Sequence, residues 1–202
     1  MIAIVDYGVG NLFSLKSSFA SLGIPAEATA DPEAIRAADR IILPGVGAFE
    51  DAAKKLKESG LGDLVKEEAA KGKPLLGICL GMQLLFDKSY EYGKHDGLSL
   101  IPGKVTAMRG RVPEELKIPA MGWNALRFTK ESPLFKYIRE RDYVYFVHSY
   151  SAVDCEEDTS ATVEYGVDIT ASVERGNVFG CQFHPEKSGS VGLSILRAFS
   201  EI

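Results

Sequence analysis

The stretch PLLGICLGMQLLF, residues 74–86, carries the strongest indication of how this chain folds. One apolar run reaches Gly77, a turn places Cys79 between Gly77 and Gly81, and a second apolar run follows. This order has the form of a nucleophile elbow, in which a strand turns sharply into a helix, with cysteine in the place of serine. Glycines suit the turn because no Cβ fits where a strand and a helix approach so closely. A helix N-terminus favours thiolate over thiol, so Cys79 is a candidate nucleophile.

The first half of the chain alternates between short apolar strands and amphipathic helices. Residues 2–5 and 40–43 have the character of buried strands, and leucines and phenylalanines recur at helical spacing after each of them. This alternation predicts a parallel sheet covered by helices. Loops that leave the carboxyl ends of such strands meet at one edge of the sheet, where ligands bind. Three loops are expected to share that edge, at residues 6–11, 44–47 and 79–81.

The second half consists of strand-like segments joined by short turns, which is typical of antiparallel pairing. The segments are residues 105–108, 143–147, 161–165, 169–173 and 178–183, before a closing helix at 191–199. No linker, repeat or low-complexity segment interrupts the chain. The predicted fold is therefore α/β, with a central, mostly parallel sheet flanked by helices and an appended antiparallel strand region. We expect a single domain over residues 1–202.

The composition excludes several classes of protein. A formal net charge of -5 argues against a nucleic-acid-binding surface, which needs clustered basic residues. No apolar run approaches the roughly 20 residues that span a bilayer, so no membrane association is expected. The short apolar opening is not expected to be a signal peptide. Three cysteines without metal-type spacing favour a reducing cytoplasm, although one disulfide with a spare thiol stays open.

A cysteine nucleophile needs a general base and a group that orients the base. His184 and Glu186 follow an apolar strand and flank Pro185, which cannot continue a sheet ladder. Residues i and i+2 of an extended segment point the same way, so Glu186 can accept a hydrogen bond from one ring nitrogen while the other faces a thiol. The residues therefore predict a Cys-His-Glu triad. His95, in a polar loop, is expected to be exposed to solvent.

The segment Pro44-Gly45-Val46-Gly47 is a candidate oxyanion element. Attack on an amide or ester places negative charge on oxygen, which preorganised backbone N–H groups stabilise. The N–H of Leu80 would be the second donor. Residues 44–47 would also fit an ordinary strand-to-helix turn. Gly8 and Gly10 lack the full pattern of a dinucleotide-binding loop.

Each candidate also has a plainer interpretation. A lone cysteine in an apolar segment is usually a small buried hydrophobe, and we expect this of Cys155 and Cys181. His184 alone would fit a buried structural histidine. A metal site built from the three triad residues is conceivable, but the sequence offers no fourth ligand, and we expect no metal.

These motifs, taken together and in this order, resemble those of the class I glutamine amidotransferases over essentially the whole chain. Three further pieces are similar to the glutaminase subunits of imidazole glycerol phosphate synthase. They are VDYGVGNL at 5–12, MGWN at 121–124 and HPEKS at 184–188. The resemblance implies hydrolysis of L-glutamine to glutamate and ammonia by Cys79, His184 and Glu186, without a cofactor.

The resemblance also implies roles for further residues. Glutamine would be held by Gly47, Gln83, Glu91 and the backbone of Ser149 and Tyr150, beside the oxyanion segment with Gly45 and Val46. Ammonia would pass to a (β/α)8-barrel cyclase subunit in a heterodimer, and the residues expected to face it are Tyr7, Asn11, Trp123 and Lys187. One position departs from the family pattern: Ala120 stands where histidine is common, which puts details of the contact near Trp123 in doubt.

Two alternatives remain open. The chain could be the glutaminase of another amidotransferase, such as that of pyridoxal phosphate or anthranilate synthesis, although residues 6–11 and 121–124 argue against it. It could also be a catalytically silent interaction module, although all three triad residues are present. Labelling of Cys79 by an electrophilic glutamine analogue would exclude the silent module.

Overall fold

A computed structural model describes residues 1–202 as helices packed on both faces of a large sheet, with two smaller sheets beside it. The helices are α1 (Leu12–Ser21), α2 (Pro32–Ala37), α3 (Phe49–Glu58), α4 (Leu61–Ala70), α5 (Leu80–Gln83) and α6 (Gly189–Ser200). Seven strands precede residue 108: β1 (Ile2–Val5), β2 (Ala26–Thr29), β3 (Arg40–Leu43), β4 (Leu75–Ile78), β5 (Phe86–Ser89), β6 (His95–Asp96) and β7 (Ile101–Ala107). Seven follow: β8 (Ala120–Ala125), β9 (Arg127–Phe128), β10 (Tyr143–His148), β11 (Tyr150–Val153), β12 (Thr159–Glu164), β13 (Asp168–Arg175) and β14 (Val178–Cys181).

The main sheet has eight strands in the order β2-β1-β3-β4-β14-β13-β12-β9. The five strands from β2 to β14 run parallel, and β13, β12 and β9 continue the sheet antiparallel. This arrangement confirms the predicted fold class. Strand β14 joins the two regions, because it pairs parallel with β4 and antiparallel with β13. The last segment of the chain therefore lies directly beside the strand that leads to Cys79.

Two hydrophobic cores lie on opposite faces of this sheet. Strand β1 is buried over its whole length, and Ile2 and Ile4 belong to one core while Ala3 and Val5 belong to the other. This division follows from the alternation of side chains along a strand. Helices α1 and α6 cover the first face, and α2, α3 and α4 cover the second. No helix is long and apolar enough to cross a bilayer.

The carboxyl ends of β1, β3 and β4 lie side by side, because these three strands are neighbours and parallel. The loops after them meet at one edge of the sheet, as predicted. A Cβ built on Gly10 would lie 2.9 Å from the Pro44 ring, and one built on Gly45 would lie 2.7 Å from the backbone nitrogen of Gly81. The three loops are therefore in direct contact.

The segment after Cys79 differs from the prediction. Helix α5 is only four residues long, and Phe86 begins a strand that pairs with Ile101 in β7. The apolar run at residues 84–86 is fully buried, so a buried strand explains it as well as a helix does. A helix of one turn supplies only a small dipole, so the favourable position of the thiol does not rest on a long helix behind it.

Candidate active site

The backbone at Cys79 has the strained geometry of an elbow. Its φ and ψ are 56° and -112°, outside the regions that non-glycine residues prefer, and such strain is typical of functional sites. The Cys79 N–H donates to the Cys181 carbonyl oxygen at 2.8 Å, which anchors the turn to β14. Gly77 and Gly81 permit the close approach: a Cβ on Gly77 would lie 2.7 Å from the Gly81 carbonyl oxygen. Both glycines are therefore steric requirements of the elbow, as predicted.

The segment 44–47 lies directly against the elbow. A Cβ on Gly81 would lie 1.9 Å from the Leu43 carbonyl oxygen, so no larger residue fits there. Gly47 has a φ of 93°, in the region that favours glycine. None of the N–H groups of Gly45, Val46 and Gly47 donates a hydrogen bond within the chain. The segment therefore presents backbone donors beside Cys79 that have no internal acceptor.

His184 and Glu186 come together as the sequence predicted, although through a short 3-10 turn at Pro185–Lys187 and not through the extended segment that was expected. Nδ1 of His184 lies 2.8 Å from Oε1 of Glu186, and both side chains are almost fully buried. The His184 N–H donates to the Tyr145 carbonyl oxygen at 3.0 Å, which fixes the start of the Pro185–Lys187 turn. Because a carboxylate only accepts, the carboxylate holds the proton on Nδ1 and leaves Nε2 as the free ring nitrogen in the cavity wall that also holds Cys79.

The charge state of His184 follows from its neighbours. Burial by itself lowers the pKa of His184, but hydrogen bonds with Cys79 and with Glu186 outweigh this and raise it from 6.5 to about 9. The ring therefore carries a proton at neutral pH while it lies beside the thiol. An imidazolium in this position can stabilise a thiolate and can protonate a leaving amine.

A second histidine, His148, which the sequence did not indicate as a site residue, lies in the wall of the same cavity. Burial and, to a smaller extent, the nearby His184 lower the pKa of His148 to about 4, although the hydrogen bond with Tyr150 opposes this, so its ring is neutral. Its Nδ1–H donates to the Tyr150 carbonyl oxygen at 2.8 Å. The only signal for it in the sequence was its position next to Ser149 and Tyr150, whose backbone was expected to hold glutamine. Ala120, where the family commonly has histidine, is buried and pairs with His148 across β8 and β10.

These groups line a cavity of about 590 Å³. Its walls bring together nine of the residues selected from the sequence: Val46, Gly47, Cys79, Leu80, Gln83, Glu91, Ser149, Tyr150 and His184. Gly45 lies beneath the wall, against Gly81, and Glu186 lies behind His184. The cavity is large enough for an amino acid, and the thiol, the imidazole and a carboxylate all face it.

Glu91 contributes the carboxylate. One of its oxygens, Oε2, accepts from the Phe49 N–H at 2.9 Å, at the first residue of α3. Burial raises the pKa of Glu91 above its usual range, and the bond from Phe49 partly offsets this. The carboxylate is thus tied to the helix that follows the oxyanion segment. Sequence reasoning did not anticipate this cap.

Gln83 is more constrained than expected. Its amide nitrogen donates to the Tyr150 carbonyl oxygen at 3.2 Å and to Oε1 of Gln182 at 3.0 Å. The Gln182 amide in turn lies 3.8 Å from the Cys79 sulfur. Gln83 therefore also braces the cavity wall, and Gln182 is a buried polar neighbour of the thiol that the sequence did not reveal.

The residues expected to face a partner divide into two groups. Trp123 is 51% exposed and Lys187 lies on the surface nearby. Asn11 is half-buried and caps α1, accepting from the Ser14 N–H at 3.3 Å. Tyr7, in contrast, is only 6% exposed, so the expectation of an exposed aromatic at this position is wrong. Its hydroxyl is directed inward because it hydrogen-bonds to the backbone.

Two smaller expectations can be checked at the remaining histidine and cysteines. His95 is half-buried rather than exposed, because it packs beside Phe49, with the two ring centroids 6.5 Å apart. Its Nε2 is buried and has no hydrogen-bond partner. Cys155 and Cys181 are buried, as expected, and all three thiols are free. The chain holds no group of three potential ligands arranged for a metal ion.

Comparison with known proteins agrees with this geometry. Residues 3–201 match the family described as "Glutamine amidotransferase class-I". The chain is 51% identical to the "Imidazole glycerol phosphate synthase subunit HisH" of Sulfurimonas denitrificans, over 100% of this chain and 98% of that protein. It is 50% identical to the protein of the same name in Moorella thermoacetica, over 100% of this chain and 94% of that one. Among solved structures, "Structure of PurLQS from Thermotoga maritima" superposes with a TM-score of 0.78 at 20% identity, covering 99% of this chain and 97% of that one, which supports the fold.

Proposed function

Because this chain belongs to the class I glutamine amidotransferases and, within them, to the HisH subunits of imidazole glycerol phosphate synthase, we propose that Cys79, His184 and Glu186 hydrolyse L-glutamine and that the ammonia passes to a cyclase subunit. The observation that carries the proposal is the pairing of His184 with Glu186 at 2.8 Å, together with the position of Cys79 and His184 in the wall of one cavity of suitable size. Histidine biosynthesis is the pathway of this subunit family.

The reaction proceeds in two halves. The Cys79 sulfur attacks the side-chain amide carbon of glutamine, and the carbonyl oxygen takes the negative charge. The N–H of Leu80 and the unpaired N–H groups of the 44–47 segment stabilise that oxygen. His184 gives its proton to the departing nitrogen, which leaves as ammonia. The glutamyl group remains bound to the Cys79 sulfur as a thioester. His184 then removes a proton from water, which attacks the thioester and releases glutamate and the thiol.

The remaining wall residues recognise the amino-acid end of glutamine. The Glu91 carboxylate faces the cavity and attracts the substrate ammonium. Ser149 and Tyr150, with Gln83, belong to the same cavity wall, where the Gln83 amide donates to the Tyr150 carbonyl oxygen. Gln83 and His148 both donate to the Tyr150 carbonyl oxygen and so keep this segment in place.

An apolar patch on the surface suits the partner. Phe13 is 81% exposed, Met121 63% and Trp123 51%, and a Cβ on Gly189 would lie 4.0 Å from the Trp123 ring. Large apolar side chains that group on the surface of one chain are typical of an interface. With Lys187 close by, this surface fits a (β/α)8-barrel cyclase subunit in a heterodimer. Glutamine is the small-molecule substrate.

The proposal is tested by mixing this chain with the purified cyclase subunit and measuring glutamate release from glutamine. We expect turnover to rise when the cyclase is present, and glutamine to support formation of imidazole glycerol phosphate. Anthranilate synthase and pyridoxal phosphate synthase partners serve as controls and should leave turnover unchanged. Activation by one of these controls, or no response to the cyclase, would overturn the assignment. The single-domain organisation and the cytoplasmic location expected from the sequence stay predictions.

A further inference from the structure

The inward position of Tyr7 gives this residue a contact that no sequence motif indicated. Tyr7 is the second residue after strand β1, and its hydroxyl donates to the Pro44 carbonyl oxygen at 2.7 Å. Burial raises the pKa of Tyr7 above its usual range, and the nearby Cys79 raises it further. The hydroxyl therefore keeps its proton and remains a donor throughout the working pH range.

This bond is the only hydrogen bond between the segment 44–47 and the rest of the chain. Proline has no N–H, the next three N–H groups have no acceptor, and no donor other than Tyr7 reaches a carbonyl oxygen of these four residues. The segment is otherwise held by packing alone, with Gly10 against the Pro44 ring and Gly45 against Gly81.

The hydrogen bond from Tyr7 orients the whole Pro44–Gly45 peptide group and not only the Pro44 carbonyl oxygen. A peptide group is planar, so the direction of the Pro44 carbonyl also sets the direction of the Gly45 N–H on the other side of the same plane. The hydroxyl lies close to this peptide, since a Cβ on Gly45 would be 3.0 Å from it. Rotation of the peptide would break the bond and leave a buried carbonyl unpaired, which is unfavourable.

We propose that Tyr7 is a positioning residue, whose hydroxyl sets the orientation of the Pro44–Gly45 peptide and thereby anchors the start of the oxyanion segment, whose next two residues, Val46 and Gly47, lie in the cavity wall with Cys79. This inference rests on the proposed glutaminase function. Tyr7 does not line the cavity, so it acts through the segment and not on the substrate. Its effect belongs to the step in which charge develops on the amide oxygen, and not to glutamine binding.

The test is Tyr7→Phe, which keeps the ring and removes the hydroxyl, assayed in the complex with the cyclase. We expect kcat for glutamine hydrolysis to fall about tenfold, less than for direct loss of an oxyanion donor, while KM changes less than about twofold. The matched control is Tyr165→Phe, because the Tyr165 hydroxyl also donates to a backbone carbonyl, that of Lys117, at 2.7 Å but outside the site. The control should keep the wild-type kcat.

Labelling of Cys79 by a chloroketone analogue of glutamine, measured on the same samples, separates positioning from damage to the fold. A positioning role predicts a full equivalent of label in Tyr7→Phe together with the lower kcat. An unchanged kcat, or a kcat that falls only in proportion to the labelled fraction, would overturn the role of Tyr7. Failure of the wild-type chain to hydrolyse glutamine or to take up label would instead contradict the proposed function.

Discussion

Nδ1 of His184 lies 2.8 Å from Oε1 of Glu186, only two residues further along the chain, and both side chains are buried. The two groups are brought into line because the strand has already ended at Cys181 and residues Pro185–Lys187 form a short turn. His148, in the same cavity wall, has no carboxylate partner, and burial lowers its pKa to about 4, so that it stays neutral. The carboxylate therefore distinguishes the histidine that can act as an acid from the one that braces the wall.

Glu186→Gln tests this pairing through pH dependence. The pKa of His184 is about 9 in the folded chain, above its ordinary 6.5, so its proton stabilises the fold fully below 6.5 and this contribution is lost as pH rises through about 9. Ammonia departure needs the same proton, so kcat should fall on the alkaline side near that pH. The amide side chain introduced at position 186 can still accept a hydrogen bond from Nδ1 of His184, but it carries no charge. The alkaline limb of the kcat profile should therefore move to lower pH, and kcat should drop about 100-fold.

The measurement is the pH profile of glutamate release by the complex with the cyclase. Glu58→Gln, a substitution at an exposed position of α3, is the control and should leave the profile unchanged. An alkaline limb that stays in place in Glu186→Gln would show that Glu186 does not set the pKa of His184.

Glu91→Gln separates substrate binding from chemistry. The amide oxygen can still accept from the Phe49 N–H, so the cap of α3 is preserved while the charge is removed. We expect KM for glutamine to rise about 10- to 100-fold with little change in kcat, because one charge-assisted contact with the ammonium is lost. In the wild type, KM should begin to rise on acidification at a higher pH than for a free glutamate, since burial raises the pKa of Glu91. A fall in kcat at unchanged KM would place Glu91 elsewhere in the mechanism.

Gly81→Ala tests the contact between the elbow and the segment before it. The added methyl would lie 1.9 Å from the Leu43 carbonyl oxygen, so two backbones must separate. We expect the thermal midpoint to fall by roughly 5 to 10 °C and glutamine hydrolysis to be lost. Gly62→Ala is the control, because its methyl in α4 meets nothing closer than 3.4 Å and alanine favours a helix. Equal behaviour of the two variants would contradict the steric explanation.

Lys187→Ala tests the surface beside Trp123. Lys187 is exposed and lies outside the cavity, so its loss should weaken stimulation by the cyclase more than it alters unstimulated turnover. Lys57→Ala on α3, on the other face of the sheet, is the matched control. Titration of glutaminase activity with cyclase measures both quantities. Equal losses of stimulated and unstimulated turnover, or no loss at all, would count against a role in communication.

Much of the site could be predicted because local chemistry determines it. The glycines at 77 and 81 predict an elbow because of the close approach of the backbone there, and Pro185 predicts that the strand does not continue, since proline lacks a donor. The parallel order of β1, β3 and β4 follows from the alternation of strands and helices. These rules act over a few residues, so they can be applied without knowledge of distant partners.

The predictions that were wrong depended on contacts between distant segments. Tyr7 is buried because Pro44, 37 residues away, offers its hydroxyl an acceptor. His95 is half-buried because the Phe49 ring lies beside it, and the run at 84–86 becomes a strand because Ile101 pairs with Phe86. Tertiary pairing outweighs local preference in each case. The cap between Glu91 and Phe49 is another contact of this kind, across 42 residues.

The catalytic role of Cys79 is tested most directly by intact mass measurement after exposure to a chloroketone analogue of glutamine, with wild type and Cys79→Ala compared. We expect one adduct on the wild type, located to the peptide that carries Cys79, and none on the variant even though Cys155 and Cys181 remain. The variant should bind the cyclase and support cyclisation from added ammonia while releasing no glutamate from glutamine. Labelling at another residue, or glutamine hydrolysis by Cys79→Ala, would contradict the mechanism.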